Sequence, residues 1–164
     1  MKFRSATVGD IAQICRLETL PQFRTFVGCW PPDQHLKNLA DPDAGYLVAE
    51  DEQGNIAAFA ILCGLLSEHR AVELKRFVVG LPNQGTGKRF LAAIADWAFG
   101  ECGAHRLFLD VFVNNDRARH VYESFGFREE GIMRDAIYRD GTYHSLVLMS
   151  LLDGEYQSRA SSNG

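Results

Sequence analysis

The chain has 164 residues, 46% apolar and 23% charged, with a formal net charge of −4. That length suits one domain with its own core, and scattered Lys and Arg on an acidic chain give no basic field for a nucleic-acid partner. Cys15, Cys29, Cys63 and Cys102 form no C-x-x-C pair, no stretch reaches the ~18 apolar residues of a membrane span, and the first ten residues lack a signal-type apolar run. The expectation is a cytoplasmic protein with buried, reduced thiols, none of them a nucleophile, and with no membrane partner.

Residues 3–6 read as a short strand, and Thr7 with Asp10 three positions later forms a capping pattern ahead of Ile11, Ile14, Leu17 and Glu18 at helical spacing. The first helix is expected over 8–20. The following segment is rich in aromatics, Phe23, Phe26 and Trp30 among them, and suits either the wall of a substrate site or simple packing. Pro31 and Pro32 then open a second short helix over 33–39. Apolar runs at 45–50 and 56–66, separated by Asp51 to Asn55, read as a hairpin.

The next strand, 74–79, is expected antiparallel to the one before it. It breaks at Gly80 and Pro82 into a turn where Gly85 and Gly87 flank Thr86, and Lys88 and Arg89 open a helix carried by Phe90, Leu91, Ile94, Trp97 and Ala98. The free N–H groups of a helix's first turn carry partial positive charge, so strand, glycine turn and helix together make an anion-binding arrangement. The turn lacks the Gly-Lys-Ser/Thr ending of a P-loop, and Phe90 stands where a G-x-G-x-x-G motif needs its third glycine. Triphosphate hydrolysis and Rossmann dinucleotide binding are therefore disfavoured.

Residues 106–113, RLFLDVFV, form a nearly continuous apolar run of the kind found in a strand covered on both faces, expected parallel to the 74–79 strand through a crossover helix. Asn114 and Asn115 cap a further helix that presents Ala118, Val121, Tyr122 and Phe125 on one side and stops at Gly126. A last hairpin has arms at 128–138 and 142–151, and the polar stretch 153–164 is expected to be a disordered tail. The fold class is α/β (α+β): one mixed, mostly antiparallel sheet of about seven strands with a parallel central pair, and about four helices.

Two motifs in this order resemble those of the Gcn5-related N-acetyltransferases, which move an acyl group from coenzyme A to an amine. Pro82-Asn83-Gln84-Gly85-Thr86-Gly87 is similar to the family's Gln/Arg-x-x-Gly-x-Gly/Ala loop, with proline at its first position. Asn115-x-x-Ala118-x-x-x-Tyr122-x-x-x-Gly126-Phe127 matches the second motif, and the closing hairpin resembles the branch with ribosomal-protein N-terminal and small-amine acetyltransferases. The resemblance covers about residues 2–152. It implies an acyl-CoA N-acyltransferase domain over 1–152 in which the central parallel strands splay. Acetyl-CoA would be the co-substrate without a metal, transfer to a primary amine would be direct in a ternary complex, and the acceptor would be a small molecule or a protein N-terminus. A homodimer is compatible with it.

By the same resemblance, main-chain amides of Gln84, Gly85, Thr86, Gly87 and Lys88 would hold the pyrophosphate. The main chain of Phe77 and Val79 would pair with the pantetheine arm, and Asn115 would hydrogen-bond it. The amide of Val78 or Val79 would polarise the thioester carbonyl, Tyr122 would serve as the acid for the departing thiolate, and Glu73 would be the base. The plainer alternatives are a packed Tyr122 and a Glu73 paired with Lys75, Arg70 or Arg106. A non-catalytic acyl-CoA binding module on the same fold is the competing function. His69, His105, His120 and His144 have no spacing that suggests a triad or a metal site.

Overall fold

The computed structural model describes residues 1–80 and 85–162. The strands are β1 (Lys2–Ser5), β2 (Ala44–Glu50), β3 (Ile56–Cys63), β4 (Ala71–Val79), β5 (Arg106–Phe112), β6 (Arg128–Arg139) and β7 (Thr142–Leu152). The helices are α1 (Ile11–Glu18), α2 (Pro32–Leu39), α3 (Thr86–Asp96), α4 (Asp116–Phe125) and α5 (Asp153–Ser162). One sheet runs β1-β2-β3-β4-β5-β7-β6, antiparallel at every contact except the parallel pair β4–β5. The mixed sheet with its parallel pair is as expected, and α5 is the helix that the sequence reading did not contain.

Both faces are covered at the centre of the sheet, so β2 and β3 alternate between two cores rather than between core and water. On β2, Leu47 and Ala49 enter the larger core under α3 and α4, while Tyr46 and Val48 enter a smaller one under α1 and α2. The capping pattern at Thr7 and Asp10 is present: the Asp10 carboxylate accepts from the Thr7 amide at 2.7 Å and from Arg4 at 2.8 Å, closing a single 3₁₀ turn onto α1. These contacts, the arginine foremost, hold Asp10 at a pKa of about 2.

Two irregularities shape the centre of the sheet. Lys75 is an extra residue in β4, since Leu74 faces Leu62 and Arg76 faces the preceding Ile61. The bulge resets the alternation. Val72 and Leu74, then Phe77 and Val79, all serve the α3/α4 core, whereas Arg76 and Val78 turn toward α1. The second irregularity is that β4 and β5 pair only at Ala71–Arg106, Val72–Leu107 and Glu73–Phe108. Beyond Glu73 the two strands have no register with each other, and β5 continues against β7 alone.

The expected disordered tail is instead α5, a correction with a clear cause. Tyr156 stacks on Phe99 and Phe125 with centroids 5.4 and 6.0 Å away, and its hydroxyl donates to Asp96 at 2.7 Å. Arg159 donates to the Ser124 carbonyl at 3.0 Å. One aromatic and polar anchors, rather than an apolar stripe, hold the helix, so periodicity could not reveal it. The cysteines also differ from expectation: all four are free, but Cys29 is exposed and the others only half-buried.

Candidate active site

A cavity of about 910 Å³ passes through the gap where β4 and β5 part. On the α3/α4 side it is lined by Gly85, Gly87, Lys88, Asn115, Ala118 and Tyr122; on the α1 side by Phe23, Phe26, Trp30, Arg76, Phe112 and Arg139. Lys75 and Asp110 stand between the two.

The α3/α4 side follows from local chain rules. Gly85 is the N-cap of α3 with φ 71°, a left-handed conformation, and a methyl group built there meets nothing within 4 Å. Gly85, Gly87 and Lys88 bring the first turn of α3 to the cavity wall. Thr86 is buried. Gln84, expected among the anion-binding residues, lies outside the described residues. Asn115 caps α4, its Oδ1 accepting from the Ala118 amide at 3.2 Å, which leaves its Nδ2 group to donate elsewhere.

The ladder between β3 and β4 decides which β4 amides face the gap. Gly80 donates to Ala57 at 2.8 Å, and opposite residues in an antiparallel pair alternate between bonded and non-bonded. Val78, opposite Phe59, is therefore a bonded position whose amide points to β3. Phe77 and Val79 are non-bonded positions whose N–H and C=O groups point toward β5, where no partner strand remains. Of the three β4 residues singled out in the sequence, the geometry brings Phe77 and Val79 to the cavity and turns Val78 away, its side chain fully buried in the α1 core.

Tyr122 is 8% exposed, lies against Phe77 and Phe127 with ring centroids 6.1 and 5.7 Å away, and contributes to the cavity wall. Burial, assisted by the negative charge of Asp110, raises its pKa, so the hydroxyl is a hydrogen-bond donor at neutral pH. Glu73 is not in the wall. It sits at the last paired position of β4 with its carboxylate 3.3 Å from Lys75, one of the three pairings considered for it. Asp110, exposed by its surface area, lines the cavity, and partial desolvation there, with Glu73 second and Lys75 opposing, raises its carboxyl above the usual range. Its signal in the sequence was the single acid inside RLFLDVFV.

The α1 side rests on a buried polar network that sequence reading missed. Arg76 donates to Glu18 and lies over the Trp30 ring at 3.8 Å. Glu18, fully buried, also accepts from the Trp30 amide at 3.1 Å and meets His35 Nε2 at 3.0 Å; His35 Nδ1 is 3.2 Å from the Tyr46 hydroxyl. A carboxylate only accepts, so Nε2 donates to Glu18, while Nδ1 faces the Tyr46 hydroxyl. Burial pushes the Tyr46 hydroxyl up to about 12, which keeps it a donor. Glu18 had stood among the apolar positions of the first helix, the one clue that it is buried.

The acetyltransferase (GNAT) family model matches residues 11–127. Over 126 residues the chain is 29% identical to a spermidine N(1)-acetyltransferase of Vibrio cholerae, covering 76% of this chain and 72% of that one. It is 28% identical over 134 residues to the N-alpha-acetyltransferase RimI of Mycobacterium tuberculosis, covering 78% of each. A solved mutant form of the Vibrio cholerae spermidine N-acetyltransferase superposes with a TM-score of 0.85 at 25% identity, over 98% of this chain and 99% of that one.

Proposed function

The chain belongs to the acetyltransferase (GNAT) family, and from that premise we propose that it transfers acetyl from acetyl-CoA directly to a primary amine, both bound together in one cavity. The acyltransfer unit is residues 1–152, with α5 as a brace on its α3/α4 side. The observation that carries this reading is the through-passage between β4 and β5. An extended thioester can lie along the unpaired edge of Phe77 and Val79 from one side, and an amine can approach its carbonyl from the other.

The residues present fit coenzyme A. Gly85 to Lys88 offer first-turn amides and a cation for the pyrophosphate, the Phe77 and Val79 main chain offers a strand edge, and the Asn115 Nδ2 group offers a donor to the arm. Coenzyme A supplies the activated acetyl group and the thiolate leaving group. An alkyl ammonium has a pKa near ~10.4 and must lose a proton before it attacks. We assign that proton to Asp110 at the cavity wall. Glu73, one step behind it, then serves through its charge rather than by contact.

The Val79 amide, aimed into the gap, stabilises the tetrahedral oxyanion, a role open to it and closed to Val78. Tyr122 donates its hydroxyl proton toward the departing sulfur, and exchange with solvent at the cavity mouth then removes the proton gained by Asp110 and restores the one lost by Tyr122. Thiol release from acetyl-CoA across a panel of primary amines tests the reading. Amine-dependent release is expected. Tight coenzyme A binding with no release for any amine would instead favour a binding module.

A further inference from the structure

Two guanidinium groups meet on the acceptor side of the cavity. A methyl group built on Gly28 would lie 3.1 Å from Arg76 Nη2 and 3.7 Å from Arg139 Nη2, so both arginines lean over the one residue that has no side chain to obstruct them. They arrive from distant parts of the chain, Arg76 from the bulged stretch of β4 and Arg139 from the end of β6.

Their charges are balanced differently. Arg76 is paired with Glu18, whose oxygens are taken up by Arg76, His35 and the Trp30 amide. Arg139 donates one N–H to the Thr25 carbonyl at 2.9 Å and lies 5.3 Å from the Phe112 centroid. Among the described residues no carboxylate is within ion-pair distance of it. One positive charge is thus left over in a partly desolvated wall, on a planar group with donors to spare. The neighbouring hollow, which shares Val27, Gly28 and Arg139, adds Arg24 rather than an acid besides Glu18.

A ligand carrying a negative charge matches that surplus. The remainder of the wall, with Phe26 edge-on to Phe112 at 5.6 Å and Trp30 beside them, suits an apolar body. A polyamine would set a second ammonium group against Arg139, while Asp110, the acid among the described lining residues, is already assigned to the attacking amine. Resting on the acetyltransfer reading above, we infer that the acceptor is a primary amine bearing a carboxylate on an apolar frame, and that Arg139, assisted by Arg76, selects for it.

The test compares para-(aminomethyl)benzoate with para-(aminomethyl)benzamide, near-isosteres whose amine is remote from the altered group, and adds spermidine. Full-length protein and acetyl-CoA are used, and thiol release is followed. The wild type should prefer the benzoate by about tenfold or more in kcat/KM, the range expected of a charge-assisted hydrogen bond. Arg139→Gln should reduce that ratio to about twofold or less, chiefly through KM, and Arg139→Lys should fall between. Calorimetric coenzyme A affinity, expected near wild type in both variants, establishes that they fold. A wild-type preference for the benzamide or spermidine, or a ratio that survives Arg139→Gln, overturns the inference while leaving acetyl transfer in place. Coenzyme A binding with no thiol release from any of the three amines overturns acetyl transfer and this inference with it.

Discussion

The two sides of the cavity are built on different principles. The coenzyme side is made of main chain: a left-handed glycine ahead of α3, an asparagine cap on α4, and a strand edge left unpaired where β5 departs. The glycine and the cap depend on residues close together in sequence, and the strand edge alone depends on β5. The acceptor side is made of side chains from far apart, with Glu18 and Arg76 separated by 58 positions and Arg139 and Thr25 by 114. One side can be recognised from a motif; the other exists only once the sheet has formed.

That contrast can be broken by substitution. The largest effect is expected at Gly87, which lines the coenzyme side with its position for a side chain 3.6 Å from Val79. Gly87→Val should abolish measurable coenzyme A binding in calorimetry while circular dichroism stays native, because added bulk prevents close approach to the α3 amides. Unchanged affinity in a folded variant would remove the loop from the site.

Tyr122→Phe retains the ring contacts and deletes only the donor. We expect kcat to fall by ~10²-fold with coenzyme A affinity nearly intact, as for other general acid–base groups. A lower melting temperature with unchanged kcat would make Tyr122 a packing residue. On the other side, Glu18→Ala leaves Arg76 buried without its counter-ion and should cost about 3–5 kcal/mol in chemical denaturation. The amine KM should rise with little change in coenzyme A affinity. Loss of coenzyme affinity alone would erase the distinction between the two sides.

The smallest effect concerns Asp110 and pH. A base works when ionised, so kcat/KM should rise through its apparent pKa and level off; in Asp110→Asn that inflection should vanish and activity should recover partly in alkali. The sign for stability is opposite to that of a paired acid. The folded-state pKa of Asp110 is raised, so its contribution is most favourable at low pH and is lost as pH climbs through the raised value. At neutral pH, Asp110→Asn should melt at or slightly above the wild-type temperature. If Glu73→Gln rather than Asp110→Asn removes the inflection, Glu73 is the base after all.

Strands and helices with their own periodicity, and the two motifs, were legible in the sequence because each is set within a few residues. The splay of β4 from β5 was legible only through the family resemblance, and the turn of Val78 away from the cavity was not legible at all, since ladder alternation requires the register with β3. Arg76 is on the α1 side only because Lys75 is a bulge, and no pattern of apolar residues announces one. The α5 helix escaped detection because Tyr156 is its principal anchor and its remaining contacts are polar.

Direct transfer through the β4–β5 gap is the central claim. It is tested most directly by initial rates with both substrates varied, together with the intact mass of protein incubated with acetyl-CoA and no amine. The account predicts double-reciprocal lines that intersect and a protein mass without an added acetyl group. Parallel lines with an acetylated residue, such as the exposed Cys29, would contradict it.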